Sequence, residues 1–414
     1  MICIDYLYDK STHAHILDNR YIITGHLSYK TYFNGFIAPN IVDDEHHYYD
    51  GVWSNDKIYD KGTGHNSAIN DVYNFERSFP SWWGDVTNSN DKVVFIGSFS
   101  GIWGHFITDS IRMLWFLSTK EFKEKYKDYR LVYTAWHNFE LKGPFKRALE
   151  LIGIDTNNLF EVKNITNFKE IIVPDSSFVH DIGEDKACFY RDYIATIEQI
   201  IQGVELKSLP MYGKIYYSCS KKKHGSSIGE EKIEKFLKRQ GFLIVYPEEH
   251  TLDEQIIMMQ NCKVFASTDG SSMHNCVFCN PETTLLIIPR GPYSSGYQDA
   301  LNYVKDFNIY YIDSSLSILT DSYPYCGPFY YYVSDNLLSF FNLAREKKYI
   351  EHNFYDIKKY IEKSLYGSRS NSFMCNYKHC ELFFHYYSLY IKTTKKYMIY
   401  KLIKKIKSLF NRKK

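Results

Sequence analysis

A histidine and an aspartate stand four positions apart in this chain, at His105 and Asp109. Residues four apart on a helix share one face, so the two side chains can meet. A histidine near a helix start, with a carboxylate one turn further on, can be held in one tautomer and take a proton from a hydroxyl group. The spacing leaves three roles open: His105 as base, Asp109 as base with His105 contacting a phosphate, or a structural hydrogen bond.

A turn of small residues forms the second candidate site, at Gly270, Ser271 and Ser272. The apolar run Val264–Ala266 before it predicts a buried strand, and apolar residues at helical spacing follow it. A strand, a turn and a helix start place unpaired backbone N–H groups where the helix dipole favours an anion. The turn therefore predicts a phosphate site, with Asn275 orienting the loop or the ligand.

Hydroxyl and cationic side chains follow another predicted strand, at Ser218, Lys221 and His224. At the carboxyl end of a strand they suit a diphosphate, because hydroxyl and cationic side chains stabilise its negative charge. A lysine run also suits a solvated loop. This segment is therefore a second candidate for diphosphate binding.

Glu248 lies just after a predicted strand and can accept hydrogen bonds from a sugar or ribose hydroxyl pair. The alternative is that Glu248 and Glu249 cap the next helix. Thr251 and Glu254 have the spacing of a capping box, which favours Glu248 for binding.

Few residues that could bind a metal stand where their side chains are expected to converge on one ion. Cys276 and Cys279 have CxxC spacing, but they fall in an apolar predicted helix, where a free cysteine behaves as a small hydrophobe. No Asp-x-Asp stands at a predicted strand end, and Asp43–His47 suits an exposed loop. The sequence therefore predicts no metal site and no cofactor.

Strands alternate with helices from Lys92 onward, which indicates an α/β fold with parallel, doubly wound sheets. A break near Lys207–Gly213 separates residues 1–207 from residues 208–330, and residues 331–384 are expected to be helical. The predicted strands are 93–96, 131–134, 171–173, 214–218, 242–245, 263–266, 285–288 and 308–311. The predicted helices are 104–118, 144–151, 185–202, 230–240, 252–260 and one after Ser271.

The chain resembles glycosyltransferase family 61. The resemblance covers roughly residues 90 to 290 and is carried by the Gly-His-Phe-x-x-Asp segment at 104–109, by Pro247-Glu248 and by the Gly-Ser loop with Asn275. Three positions depart from the family: Cys219 stands where Arg is common, Gly229 where Asn is usual, and Asp269 where His is frequent.

The two successive α/β series predict two Rossmann-like domains that face a cleft, the architecture named GT-B in glycosyltransferases. The resemblance implies an inverting, metal-independent glycosyltransferase with a nucleotide-sugar donor. The first domain would bind the acceptor and the second the donor. The setting would be a bacterial surface glycan, a capsule or O-antigen built on a lipid-linked acceptor. Two other functions remain open: pyruvyl transfer from phosphoenolpyruvate, and a non-catalytic assembly protein, which the Cys219 departure favours.

The charge distribution is uneven along the chain. Residues 385–414 carry ten Lys and Arg and no Asp or Glu, whereas the remaining chain carries 40 basic and 48 acidic residues. This pattern does not suit a nucleic-acid-binding domain, which spreads positive charge over a folded face. Apolar residues at helical spacing between the lysines predict an amphipathic helix on the inner membrane surface, with Lys392–Lys414 as the contact. The alternative is a solvated or frayed terminus whose apolar stripe packs on its own protein.

The expected location is the cytoplasm, peripheral at the inner face of the cell membrane. Nine scattered cysteines indicate a reducing compartment. The sequence has neither a secretory-signal pattern nor an apolar stretch of spanning length.

Overall fold

The structure is a computed structural model that describes residues 21–42, 48–60, 63, 86–136, 138–181, 186–205, 211–221, 227–290, 295–305, 307–316 and 329–343. The basic tail at 385–414 and His224 lie outside these ranges. The described strands are β1 Tyr29–Val42, β2 Tyr48–Trp53, β3 Thr87–Ser100, β4 Arg130–Trp136, β5 Leu159–Glu161, β6 Thr166–Pro174, β7 Phe178–Asp181, β8 Lys186–Phe189, β9 Tyr212–Tyr217, β10 Ser227–Ile228, β11 Leu243–Val245, β12 Cys262–Thr268, β13 Thr284–Ile288, β14 Asn308–Tyr311, β15 Ser315–Leu316 and β16 Phe329–Tyr331.

The described α-helices are α1 Trp103–His105, α2 Gly143–Leu151, α3 Arg191–Gln202, α4 Glu230–Arg239, α5 Leu252–Gln260, α6 Gly296–Asn302 and α7 Asp335–Phe340. Wider π turns span Phe106–Ser110 and Phe122–Tyr126, and 3₁₀ turns span Ile111–Ser118, Thr156–Asn158, Pro247–Glu249 and Met273–Phe278. Helix α5 begins with the predicted capping box, in which Thr251 Oγ1 accepts from Glu254 N and the Glu254 carboxylate accepts from Thr251 N. This local prediction is confirmed.

A six-stranded sheet occupies the first half of the described chain, in the order β2-β1-β6-β3-β4-β5. Strands β6, β3, β4 and β5 are parallel, as predicted, whereas β1 pairs antiparallel with both β6 and β2. The sheet is therefore mixed, and the prediction of a purely parallel sheet is wrong for this half. The sequence before Lys92 carried no clear period, so these strands were not foreseen.

A five-stranded sheet occupies the second half, and all of its strands are parallel, in the order β11-β9-β12-β13-β14. Counted along the chain, this order is 2-1-3-4-5. Strands β9 and β12 are neighbours in the sheet. After β9 the chain continues to β11 at one edge, whereas after β12 it continues to β13 and β14 at the other edge, so the strand order reverses between β9 and β12. Ligands of such sheets bind beyond the carboxyl ends of the strands at this switch point.

A continuous hydrophobic core lies between the two large sheets, because alternate residues of a strand point to opposite faces. In β13, Leu285 and Ile287 join this central core, whereas Leu286 and Ile288 pack on the far side with α4. From the other sheet, Val94 and Ile96 enter the same central core. Helices α2, α3, α5 and α6 and the segment 103–118 fill the space between. The two halves therefore share one apolar interior.

Three predicted boundaries are corrected by the structure. The helix predicted over 185–202 begins only at Arg191, because Lys186–Phe189 forms β8 in a hairpin with β7. The glycine and serine residues after Ile96 do not end the strand, since β3 continues to Ser100 past an irregularity between Phe95 and Ser98. The helix after Ser271 is a six-residue 3₁₀ turn, Met273–Phe278. In each case long-range pairing or packing overrides the local pattern.

Within the described ranges, no helix is both long enough and apolar enough to cross a bilayer.

Candidate active site

The site begins where β3 ends and the chain turns into a helical segment at Trp103. This segment starts as one α turn, widens to a π turn over Phe106–Ser110 and tightens to a 3₁₀ turn over Ile111–Ser118. Apolar side chains anchor it, since Phe106, Ile107, Ile111 and Leu114 are all buried in the central core. Single π turns inside helices occur frequently at functional sites. The packing therefore fixes the polar side chains on the remaining face.

His105 and Asp109 meet as their spacing predicted. His105 Nδ1 lies 2.7 Å from Asp109 Oδ2. The Asp109 side chain is only 3% exposed and also accepts hydrogen bonds from Thr108 Oγ1 at 3.3 Å and from Tyr297 Oη at 3.2 Å. The His105 side chain is 31% exposed. The carboxylate is thus enclosed and held by donors, whereas the imidazole reaches solvent.

The protonation of His105 is set by two opposed effects. Burial alone would lower the pKa of His105, but the hydrogen bond and the negative charge of Asp109 outweigh it, so the pKa is raised above its ordinary value. A carboxylate on Nδ1 holds the neutral ring with its proton on that nitrogen and directs Nε2 away as the acceptor. The pair therefore has the geometry of a general base with an orienting group.

The Gly270–Asn275 loop lies directly against the helical segment that carries His105. A Cβ at Gly104 would lie 2.7 Å from Ser271 Oγ, so only a glycine permits this approach. Trp103 Nε1 donates to Asn275 Oδ1 at 3.0 Å, and Asn275 Nδ2 donates back to the Ser272 carbonyl at 3.0 Å. Asn275 therefore orients the loop and joins the two halves.

Gly270 contributes its conformation rather than its amide. Its φ is +108°, and its N–H donates to Asp269 Oδ1 at 2.6 Å. Burial raises the pKa of Asp269 to about 6, against the opposing charge of Arg290. The buried Asp269 carboxylate thus stabilises the conformation of the turn by accepting the hydrogen bond from Gly270 N.

The end of β9 meets this loop at the switch point of the parallel sheet. Ser218 is fully buried, and its hydroxyl donates to Glu234 Oε1 at 2.6 Å. The next residue, Cys219, has its Sγ 2.9 Å from Ser272 Oγ. The buried Glu230 carboxylate accepts from Cys219 N at 3.0 Å and from Tyr216 Oη at 2.9 Å. Ser218 and Glu230 therefore hold the segment after β9 in place through hydrogen bonds. The Ser272 hydroxyl, which follows β12, contacts the Cys219 thiol, which follows β9.

The other predicted donor-binding residues lie further out. Lys221 Nζ forms an exposed ion pair with Glu249 Oε1 at 2.7 Å and sits 3.5 Å from the centre of the Tyr246 ring. Glu248 is exposed in the turn Pro247–Glu249, at the carboxyl end of β11 beside β9. An exposed pair of this kind contributes little stability, so an anion can compete for the lysine.

Four further residues enter the site that the sequence interpretation did not include: Trp103, His274, Arg290 and Tyr297. Burial lowers the pKa of His274 to about 3, with added effects from the charges of His105 and Arg290, so this ring stays neutral. Tyr297 also stacks on His180, with ring centres 4.2 Å apart. Only Arg290 had a usable signal, since it follows the predicted strand 285–288.

Cys276 and Cys279 are buried free thiols that pack as apolar side chains. In the part of the chain that the structure describes, no group of three or more His, Cys, Asp or Glu side chains is placed to hold a metal ion.

The His105–Asp109 pair lies beside a polar loop at the switch point of a parallel sheet, which is the place where ligands of open α/β sheets bind. Residues 103–286 match the family model of glycosyltransferase 61. The match supports that family and, at the general level, a glycosyltransferase, which uses a nucleotide-sugar donor and a glycan acceptor. The matched segment contains both the His105–Asp109 pair and the Gly270–Asn275 loop. No curated protein matches the sequence significantly.

Proposed function

We propose that this protein is an inverting, metal-independent glycosyltransferase that extends a bacterial surface glycan, a capsule or O-antigen. One observation carries the proposal: the backbone at Gly104, next to His105, contacts Ser271 in the loop at the switch point. This contact supports the proposal, because it brings the proposed base close to the loop that is proposed to hold the donor phosphate. In the proposed GT-B arrangement, residues 1–207 bind the acceptor and residues 208–330 bind the donor.

His105, rather than Asp109, is the proposed base. The Asp109 carboxylate is 3% exposed and is engaged by His105, Thr108 and Tyr297. A base must reach the proton that it removes, and the partly exposed imidazole satisfies this condition. Asp109 then has the role of orienting the ring and stabilising the imidazolium that forms.

The reaction is a single displacement. His105 Nε2 takes the proton of an acceptor hydroxyl as that oxygen forms a bond to the anomeric carbon of the donor sugar. The bond from the anomeric carbon to the diphosphate oxygen breaks, and the nucleoside diphosphate leaves with the electron pair. Its growing charge calls for preorganised donors and cations, for which Ser272, Lys221 and His224 are the proposed groups.

Thermal-shift and transfer assays with UDP-, GDP- and CMP-sugars test the function, with phosphoenolpyruvate as the competing donor. We expect stabilisation by one nucleotide-sugar class, no effect of phosphoenolpyruvate, and unchanged transfer in excess EDTA. Stabilisation by phosphoenolpyruvate alone would favour a pyruvyl transferase. Loss of transfer in EDTA would contradict metal independence, and no binding of any nucleotide would favour a non-catalytic assembly protein.

Asp109→Asn is expected to change the pH dependence of kcat/KM. In the wild type, activity falls as the pH drops through the raised pKa of His105, because the protonated ring cannot accept a proton. The amide lacks the charge that raises this pKa, and burial alone lowers it. The acid limb should therefore move to lower pH, with a reduced maximum because the tautomer is no longer fixed. An acid limb that stays in place would exclude His105 as the titrating base.

The tail at 385–414 is proposed to hold the enzyme at the inner membrane face, beside a lipid-linked acceptor. Truncation after residue 384 should retain transfer to a soluble acceptor and weaken binding to anionic vesicles. Wild-type binding should fall with added salt, since the attraction is screened. A control with Lys401, Lys404, Lys405 and Lys407 changed to Gln separates charge from length. Unchanged vesicle binding by the truncated protein would contradict the proposal.

A further inference from the structure

Arg290 stands at the carboxyl end of β13, the strand next to β12, and its guanidinium lies across the Gly270 turn. A Cβ at Gly270 would be 2.5 Å from Arg290 Nη1 and 2.8 Å from its Cζ. Cζ also lies 5.0 Å from the centre of the Phe329 ring. The guanidinium is therefore placed between an aromatic ring and the loop, and its position depends on a glycine at 270.

Arg290 is close enough to several ionisable groups around the switch point to interact with them electrostatically. These groups are Asp269, Glu230, Cys219 and His274. The Nε of Arg290 is buried and has no hydrogen-bond partner among the described residues. A guanidinium has five N–H donors in a fixed fork that matches phosphate oxygens. Donor capacity thus remains in the middle of the candidate site.

We propose that Arg290 binds the diphosphate of the donor, an inference that rests on the proposed function. The position 219 side chain and the Gly270 loop are adjacent, because Cys219 Sγ contacts Ser272 Oγ at 2.9 Å. An arginine side chain at position 219 or at position 290 would therefore place its guanidinium in the same part of the candidate site. In this chain the cation comes from the end of β13, and Cys219 fills the space beside it.

The competing role for Arg290 is structural, as a counter-ion for the buried Asp269. The two roles differ in what they predict for ligands with and without phosphate. A phosphate contact affects UDP and GDP but not uridine and guanosine. A structural role changes the shape of the loop and weakens all four ligands together.

Calorimetry of Arg290→Met with UDP, GDP, uridine and guanosine tests the proposal. We expect affinity for the diphosphate that the wild type binds to fall about 10- to 100-fold, as for the loss of charged hydrogen bonds, with nucleoside affinity nearly unchanged. Arg130→Met, at an exposed guanidinium paired with Asp91, is the matched control and should bind as the wild type does. Arg290→Lys keeps the charge without the fork and should lose less affinity than the methionine variant.

Unchanged diphosphate affinity in Arg290→Met, or an equal loss for nucleoside and diphosphate, would overturn the inference while the proposed function stands. If the wild type binds no nucleotide-sugar in the screen and neither UDP nor GDP in this assay, the proposed function itself fails. Binding of a CMP-sugar alone would overturn the inference about the diphosphate, because that donor carries a single phosphate. Should Arg290→Met not fold, Arg290→Lys gives the same comparison. The double change Cys219→Arg with Arg290→Met should recover about tenfold in diphosphate affinity, because a guanidinium returns to the same place.

Discussion

Replacing His105 by alanine is expected to lower turnover by a factor of about a hundred or more, the range for lost general base catalysis. The acceptor hydroxyl would then have to lose its proton to water, without the oriented Nε2. Donor affinity should change little, because the groups proposed to hold the diphosphate are other side chains, Ser272, Lys221 and Arg290. The measurement is single-turnover transfer at saturating donor, with donor affinity determined separately.

The control for this prediction is His26→Ala, since His26 is an exposed histidine. It should leave both turnover and donor affinity at wild-type values. Turnover of His105→Ala close to that of the wild type would remove His105 from the mechanism. A parallel loss of donor affinity would instead place the imidazole at a phosphate, which is the role that the spacing alone had left open.

Gly229→Ala is expected to lower the free energy of unfolding by about 2–5 kcal/mol. Gly229 precedes α4 with φ of +83°, and a Cβ there would overlap the carbonyl oxygen of Tyr331 in β16. The left-handed conformation costs a non-glycine residue about 1–2 kcal/mol, and the overlap adds about 1–3 kcal/mol because a backbone carbonyl cannot rotate away. Urea unfolding of the purified variants measures the free energy of unfolding.

Gly241→Ala is a matched control at the other end of the same helix. Gly241 has φ of +82°, and a Cβ there would meet nothing within 4 Å. It should therefore lose only the conformational part, about 1–2 kcal/mol. Equal losses for the two variants would show that β16 does not constrain Gly229. Asparagine tolerates left-handed backbone, yet Gly229→Asn should also be destabilised here, because the obstacle is the position of Tyr331.

The interpretation of the sequence was most successful where the signal is local. The apolar runs that predict strands at 285–288 and 308–311 lie within β13 and β14. The Thr251 capping box forms as predicted, since it depends on residues three positions apart. His105 and Asp109 meet for the same reason, because four positions bring them to one helical face.

Only the tertiary structure shows which of these side chains are enclosed and which are exposed. Tyr297 reaches Asp109 across 188 positions of the chain, and this hydrogen bond helps to enclose the carboxylate and leaves the imidazole as the proposed base. Trp103 and Asn275 are joined across 172 positions. Nothing in the spacing of residues encodes which strand ends become neighbours, because strand order is decided by the packing of whole sheets. The sequence by itself determined the chemistry available and the local elements that carry it. The packing of the folded chain decided that the Asp109 carboxylate is enclosed and that the His105 imidazole stays accessible to solvent.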